Sequence, residues 1–190
     1  MSEGNAPNDQ SLKGPDTSGK PGMGPKPLAF DPIAEAHRQW GEHGWNDAAD
    51  GMAVVTSIIR VEQILLGQID AVLKPFELTF ARYELLTLLD FSRRGALPLG
   101  KIGVRLQVHP ASVTNAVNRL EKDGLVKRVS HPDDGRTVLA TLTPAGRTLA
   151  RKASHALNEQ VFEKIALAPD EQADLFRILY RFRQNSGDFD

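Results

Sequence analysis

The chain has 190 residues, 41 % hydrophobic and 25 % charged, with 23 Lys and Arg against 24 Asp and Glu and a formal net charge of −1. That is enough for one medium domain with arms and a sizeable core. It has no cysteine, which excludes disulfides, thiolate metal sites, cysteine nucleophiles and cysteine-based redox sensing. No unbroken run of about 18 apolar residues occurs, and the polar N-terminus lacks the apolar core of a secretory signal. The expectation is a soluble cytoplasmic protein with no membrane span.

Residues 1–29 are rich in Gly, Pro, Ser, Asn and Lys and almost free of large apolar side chains. Such a segment cannot bury enough surface to offset its ordering entropy, so a disordered arm is expected. Asp31 and Pro32 then supply an N-cap and a first-turn proline. Ile33, His37 and Trp40 follow at helical spacing, predicting a short helix that stops near Gly41 or Gly44. His37 and His43 are six apart, which is not the i, i+4 spacing of a helical metal pair.

The longest helical pattern runs from about Asp47 to Leu73. Met52, Val55, Ile58, Ile59, Leu65, Leu66, Ile69, Val72 and Leu73 form one wide stripe, widened by Val54, Val61 and Ile64. Pro75 ends it. A helix this apolar needs cover on two sides. Either the domain core takes one side and a partner subunit the other, or the helix is the buried centre of a monomer. Thr79 is the N-cap of a further helix from Phe80 to about Phe91, which Ser92-Arg93-Arg94-Gly95 breaks. Pro98 and Leu99 open a short helix carrying Ile102, Val104 and Leu106.

His109-Pro110 then starts a helix that reaches about Asp123 and stops at Gly124. At 100° per residue, Val113, Val117 and Leu120 share one face with Ala116 beside them. The opposite face carries Ala111, Ser112, Asn115, Asn118 and Arg119, with Thr114 at its margin. Small polar side chains approach base edges closely, and Asn offers the donor and acceptor that adenine requires. Arg119 and Lys122 suit phosphates. Leu125–Val129 and Thr137–Leu142 have strand-like β-branched content, and SHPDDGR between them reads as a turn. This is a hairpin whose tip presents Arg136, a side chain suited to a narrow minor groove. Its structural alternative is an ion pair with Asp133 or Asp134 that holds the loop's shape. Thr143 and Pro144 open a helix continuing to about Leu167, with Leu149, Ala153, Leu157, Val161 and Ile165 spaced by four. A last helix starts at Asp170 and carries Leu175, Ile178, Leu179 and Phe182.

Charge follows this organisation. From Arg93 to Lys152 there are twelve Lys and Arg against four acids, a local charge of +8 inside a remainder of −9. A basic segment in an acidic chain points to a local polyanion-binding surface. The order helix, turn, helix and hairpin over Leu97–Gly146 is that of a winged helix-turn-helix, which places one helix in the major groove. The expected fold is mainly α with a small β-hairpin wing. The expected divisions are an arm at 1–29, N-terminal helices for dimerisation and core at 30–96, the winged unit at 97–146, and C-terminal dimerisation helices at 147–190.

PASVTNAVNRLEKDGLVKR, the wing with Asp134, Gly135 and Arg136, and LATLTPAGR together resemble the multiple-antibiotic-resistance regulator (MarR) family of bacterial transcription factors. The element order agrees over residues 47–185. The departures are the long polar arm, the added helix at 31–44, and Gly135 where many family wings carry a basic residue. The resemblance implies a homodimer that binds the half-sites of a pseudo-palindrome in double-stranded DNA, commonly as a repressor. It also implies release by a small aromatic or anionic effector bound between dimer helices and winged unit. Ser112, Thr114, Asn115, Asn118, Arg119, Lys122 and Arg136 are the expected DNA-binding residues. By likeness to extended members that bind urate through a tryptophan, Trp40 and Trp45, with Arg60 and Arg82, are candidate ligand residues; core packing is the other use of both tryptophans.

No Gly-rich phosphate loop, serine nucleophile elbow or metal-ligand cluster is visible. No enzymatic activity, cofactor or metal is therefore expected. The competing reading is a winged helix used for protein contacts or for nonspecific DNA architecture.

Overall fold

A computed structural model describes residues 27–132 and 134–190. The arm expected at 1–29 lies outside the described residues up to position 26, as does Asp133. The chain divides into two compact units, Met1–Ser57 and Ile58–Asp190, and the division falls inside a helix.

In the first unit, helix α1 spans Pro32–Glu42. Its N-cap is Asp31, whose carboxylate accepts the Ile33 N–H at 2.9 Å. Arg38 pairs with Glu35 and Glu42 on an exposed face, the i, i+3 and i, i+4 pairing that supports a short helix. Trp40 and Trp45 meet edge to face at 5.3 Å, and the His43 ring stacks on Trp45 at 5.4 Å. His37 lies 2.8 Å from Asp50, and His43 Nδ1 lies 2.8 Å from the Gln39 carbonyl. Helix α2, Asn46–Leu73, begins in this unit and continues into the second.

The second unit holds α3 (Phe80–Phe91), β1 (Ala96–Pro98), α4 (Leu99–Leu106), α5 (Pro110–Lys122), β2 (Val126–His131), β3 (Asp134–Leu142), α6 (Pro144–Gln160) and α7 (Pro169–Asn185). Thr79 caps α3, accepting the Arg82 N–H on its hydroxyl. The core gathers the last turn of α2 (Ile69, Leu73), the inner face of α3 (Leu85, Leu86, Leu89), Ile102 of α4, and Val113, Val117 and Leu120 of α5. Ala150, Ala153 and Leu157 of α6 close it. The Tyr83 and Ser154 hydroxyls, 3.0 Å apart, join α3 to α6. Asp90 near the end of α3 receives Arg147 and Arg151 from α6.

The antiparallel sheet has the order β1-β3-β2. Val126 pairs with Leu142 and Ser130 with Val138, with a bulge at Ser130/His131. Strand β1 has no counterpart among the elements the sequence predicts. Ala96 pairs with Thr141 and Pro98 with Leu139, but three residues are too few to show a period of two. Pro98 fits there because β1 is an edge strand, where a missing N–H breaks no second ladder. Helix α6 is shorter than its spacing suggests. Val161 leaves helical geometry at φ −126°, ψ −61°, and a single 3₁₀ turn at Phe162–Lys164 follows. The spacing by four carries past this break because Val161 itself stays buried while Ile165 turns outward.

Helix α2 departs from expectation in a different way. Although no unbroken apolar run exists, Asn46–Phe76 is long and apolar enough, by length and composition, to cross a membrane, and little of it is buried. Val54, Val55, Ile59, Val61 and Ile64 are each about half exposed. Its last turns enter the core of the second unit, and Ala49 near its start is buried in the first.

One close approach fixes the second unit. A Cβ on Gly146 would lie 2.0 Å from the Leu125 carbonyl oxygen, a backbone atom with nowhere to move. Gly146→Ala is expected to lower unfolding free energy by about 3 kcal/mol, the upper end for overpacking. Gly100→Ala, with open space around it, serves as the control and should change stability by less than about 1 kcal/mol. Urea melts of both variants at one protein concentration give the comparison; equal midpoints would show that the junction yields.

Candidate nucleic-acid interface

Helix α5 is built to be held on one side and free on the other. His109 is its N-cap, its ring Nδ1 accepting the Ala111 N–H at 3.2 Å, and Pro110 occupies the first turn. Val113, Val117 and Leu120 are fully buried, each worth about 1.5–3 kcal/mol against exposure. The wheel drawn from the sequence thus matches the burial. Ser112, Thr114, Asn115, Asn118, Arg119 and Lys122 are exposed on the other side.

These six are not equivalent. Ser112, Asn115, Arg119 and Lys122 make no side-chain hydrogen bond or ion pair among the described residues. Thr114 donates its hydroxyl back to the Pro110 carbonyl at 3.1 Å. Asn118 is engaged: its amide oxygen accepts from Arg128 of β2 at 2.6 Å. The same arginine pairs with Glu121, and the Arg128 backbone N–H donates to Glu121 at 3.0 Å. Asn118, Glu121 and Arg128 therefore brace the exposed end of α5 against the wing. Sequence reasoning missed Glu121 and Arg128 because the brace spans seven residues and a chain reversal, with no periodic signal.

The wing tip is shaped by Asp134. Its carboxylate accepts the Arg136 backbone N–H at 3.0 Å and the Thr137 hydroxyl at 2.6 Å. These hydrogen bonds hold the Asp134 carboxyl below the usual aspartate range, the Thr137 hydroxyl contributing most. The acid holds the loop through the backbone of Arg136, leaving the guanidinium exposed and without an ion pair among the described residues. The alternative pairing with Asp133 lies outside the described residues.

The basic segment thus divides in two. Arg128, Arg147 and Arg151 are each engaged in an ion pair with an acid of the same unit. Arg119, Lys122, Lys127 and Arg136 are exposed.

The four ligand candidates are spread over the fold. Trp40 and Trp45 form their aromatic pair in the first unit. Arg60 is exposed on α2, 3.5 Å from the Gln63 side-chain oxygen. Arg82 reaches the Glu77 carbonyl at 2.7 Å and Asp123 at 3.6 Å, linking the start of α3 to the end of α5. Two polar groups of α3 stand apart from the exposed face of α5. Burial pushes the Glu84 carboxyl up, and one turn later the buried Thr87 hydroxyl has no hydrogen-bond partner among the described residues. No group of three or more His, Cys, Asp or Glu that could hold a metal occurs among the described residues.

The brace makes a pH prediction. The Arg128 backbone N–H, followed by desolvation in the opposite sense and then the Arg128 side chain, shifts the Glu121 carboxyl, with a net lowering. A carboxyl lowered in the fold stabilises it above the unfolded value and loses that contribution as pH falls through the folded value. The Arg128 amide proton, followed by NMR, should therefore titrate with a midpoint below the ordinary glutamate value of about 4.3. A midpoint at or above that value would mean the brace is absent in solution.

Three comparisons bear on this arrangement. The MarR family model matches residues 78–138, which run from just before α3 to most of β3. The crystal structure of Sco5413, a MarR family transcriptional regulator from Streptomyces coelicolor, is 49 % identical with a TM-score of 0.68, covering 74 % of this chain and 98 % of that one. Sco3205, a MarR family regulator from the same organism solved in complex with DNA, is 27 % identical with a TM-score of 0.64, covering 72 % of this chain and 88 % of that one. Among curated relatives, the HTH-type regulator Mb0904 of Mycobacterium bovis is 32 % identical over 94 residues, half of this chain. The chain spans 66 % of that relative's length. The helical architecture with its three-stranded wing sheet, and the near-complete coverage of Sco5413, lead to one assignment: the chain belongs to the MarR family of transcriptional regulators.

Proposed function

We propose that the protein is a homodimeric repressor that reads a pseudo-palindromic operator with two copies of α5 and leaves it when a small aromatic or anionic effector binds. The observation that carries the DNA part is the sorting of α5. Three buried side chains hold it, while Ser112, Asn115, Arg119 and Lys122 stand exposed with no side-chain partner among the described residues. Asn115 reads a base edge, with Ser112 and Thr114 beside it at the end of the helix that enters the groove. Arg119, Lys122 and Arg136 supply cationic contacts, Arg136 from the wing tip. Asn118 acts through its bond to Arg128, setting the angle between helix and wing.

The dimer part is supported by the apolar faces of α2 and α7. Leu175, Phe176, Ile178 and Phe182 of α7 are exposed, as are Phe162 and Ile165 just before it. An exposed apolar surface of this extent on a soluble regulator marks an interface. The effector part is supported by family membership and by two polar groups in α3, Glu84 and Thr87, whose side chains have no hydrogen-bond partner among the described residues. Glu84 and Thr87 join the reading as ligand-facing groups, and Trp40 and Trp45 are the aromatic candidates of the first unit. Arg82 is tied to Asp123 and enters as a positioning residue. A soluble cytoplasmic location follows from this reading.

Two experiments test it. After selection of an operator with the full chain, Asn115→Ala should cost about 1–3 kcal/mol on the operator and little on random DNA. Arg136→Ala should weaken both and make the salt slope shallower by about 1 for each phosphate it no longer neutralises. Equal losses on both DNAs for Asn115→Ala would remove its reading role, and failure of selection would favour protein contacts or nonspecific architecture. Sedimentation at micromolar concentration should give a dimer for the wild type, and Ile59→Glu should shift it toward monomer. A monomeric wild type would refute the paired half-site arrangement.

A further inference from the structure

We propose that a cleft on the side of the winged unit away from the wing tip is a binding site for a small aromatic phosphate ligand, of the kind formed by an adenine ring joined to phosphate groups. The cleft has a volume of about 700 Å³ and is lined by Phe91 and the following loop, by β1, and by Arg105 of α4. Three arginines, Arg93, Arg94 and Arg105, line this one cleft, and no hydrogen bond or ion pair engages any of them among the described residues. The neighbouring acid does not neutralise them, because Asp90 is occupied by Arg147 and Arg151. After Asp90 the sequence has no acid until Glu121.

The strand register separates this cluster from the wing. Ala96 pairs with Thr141, and the Leu142 N–H donates to the Gly95 carbonyl at 2.7 Å. The loop therefore sits at the base of β3. Arg136 is five residues nearer the tip, roughly 17 Å away at about 3.4 Å per residue. Phosphate contacts made by the wing do not account for arginines at the opposite end of the sheet.

A cation just beyond a helix C-terminus is favourable for the helix dipole, which gives Arg93 and Arg94 a local role. Neither guanidinium hydrogen-bonds to the last carbonyls of α3, however; the Ser92 hydroxyl takes that of Leu89 at 2.7 Å. Nor does the dipole explain Arg105, which comes from another helix. The second feature is Phe91, 81 % exposed at the rim of the cleft. Arginine forks match phosphate oxygens in pairs, and an exposed ring offers a face for stacking. Ring and charge together select a ligand that carries both. Two sources share this chemistry, a free nucleotide and coenzyme A, and the test separates them.

Calorimetry with the full-length protein uses four probes: ADP, coenzyme A, adenosine and pyrophosphate. Binding of ADP or coenzyme A below about 1 mM is expected, with adenosine and pyrophosphate each at least about 10-fold weaker. ADP alone assigns a nucleotide, and coenzyme A alone assigns a thiol-ester carrier. The double substitution Arg94→Gln with Arg105→Gln should weaken binding by about 10-fold or more through loss of charge-assisted bonds. Phe91→Ala should weaken it several-fold, and Arg105→Lys should fall between wild type and the double variant. Circular dichroism of each variant checks the fold, and operator affinity should stay within about 2-fold. Pyrophosphate binding as tightly as ADP would reduce the cleft to a bare anion patch. Binding unchanged in the variants would place the ligand elsewhere. Absence of binding together with weakened operator affinity would reassign the arginines to DNA. Each of these results overturns the proposal, and the unchanged operator affinity keeps its fate separate from that of the repressor reading.

Discussion

The winged unit hangs on the contact between the first turn of α6 and the Leu125 carbonyl. At this point four elements meet: the end of α5, the start of β2, the end of β3 and the start of α6. Gly124, at φ +71°, reverses the chain after α5. The Thr143 hydroxyl lies 2.9 Å and 3.0 Å from the Gly124 and Leu125 carbonyls and accepts the Gly146 N–H at 3.0 Å. The Thr143 N–H donates to Leu125. Only a glycine at 146 lets α6 come this close. The result is that α5, the wing and α6 share one vertex.

Electrostatics completes what this vertex begins. The basic segment's charge of +8 suggests a uniformly adhesive surface, yet its arginines do two different things. Arg147 and Arg151 clamp α6 to Asp90 of α3, and Arg128 clamps the wing to Glu121 and Asn118. Arg82, from outside the segment, reaches Asp123 at the end of α5. These pairs are partly buried, with the Asp90 side chain 9 % exposed, so desolvation offsets much of their Coulomb attraction. Their value here is directional: they set angles between elements already held by apolar burial. The remaining cations are left for partners, and Asp134 orders the wing tip without consuming Arg136.

Legibility in the sequence follows the range of each interaction. The α3 boundaries and the two faces of α5 can be read because capping residues and 3.6-residue spacing are local. The wing hairpin is legible from its turn residues, though its strands run longer than the β-branched content alone marks. Strand β1 is not, since three residues pair with a partner more than forty positions away. The apolar spacing overruns the end of α6 because Val161 keeps its place in the pattern while leaving helical geometry. Asn118 looks like Asn115 in the sequence; only the fold shows that Arg128 holds one and not the other. The clamps are long-range pairs of common charged residues, and spacing carries no trace of them.

Helix α2 shows why apolarity alone does not name an environment. Its composition satisfies the length and hydropathy of a membrane span, and most of its surface is uncovered. Three features argue for a protein partner instead. Arg60, Glu62 and Asp70 interrupt the helix body, a costly arrangement in hydrocarbon and an ordinary one at the rim of an interface. Ile69 and Leu73, in its last two turns, lie in the core of the same unit as α5, so one end of the helix is already a core element of the winged unit. A further group of uncovered apolar side chains lies on α7 and just before it, in the same unit. A second copy of the chain presents matching apolar faces in equal number, and a two-fold arrangement of them would also bring two copies of α5 into play. Under the dimeric reading proposed above, covering α2 and reading both halves of an operator would be consequences of a single association.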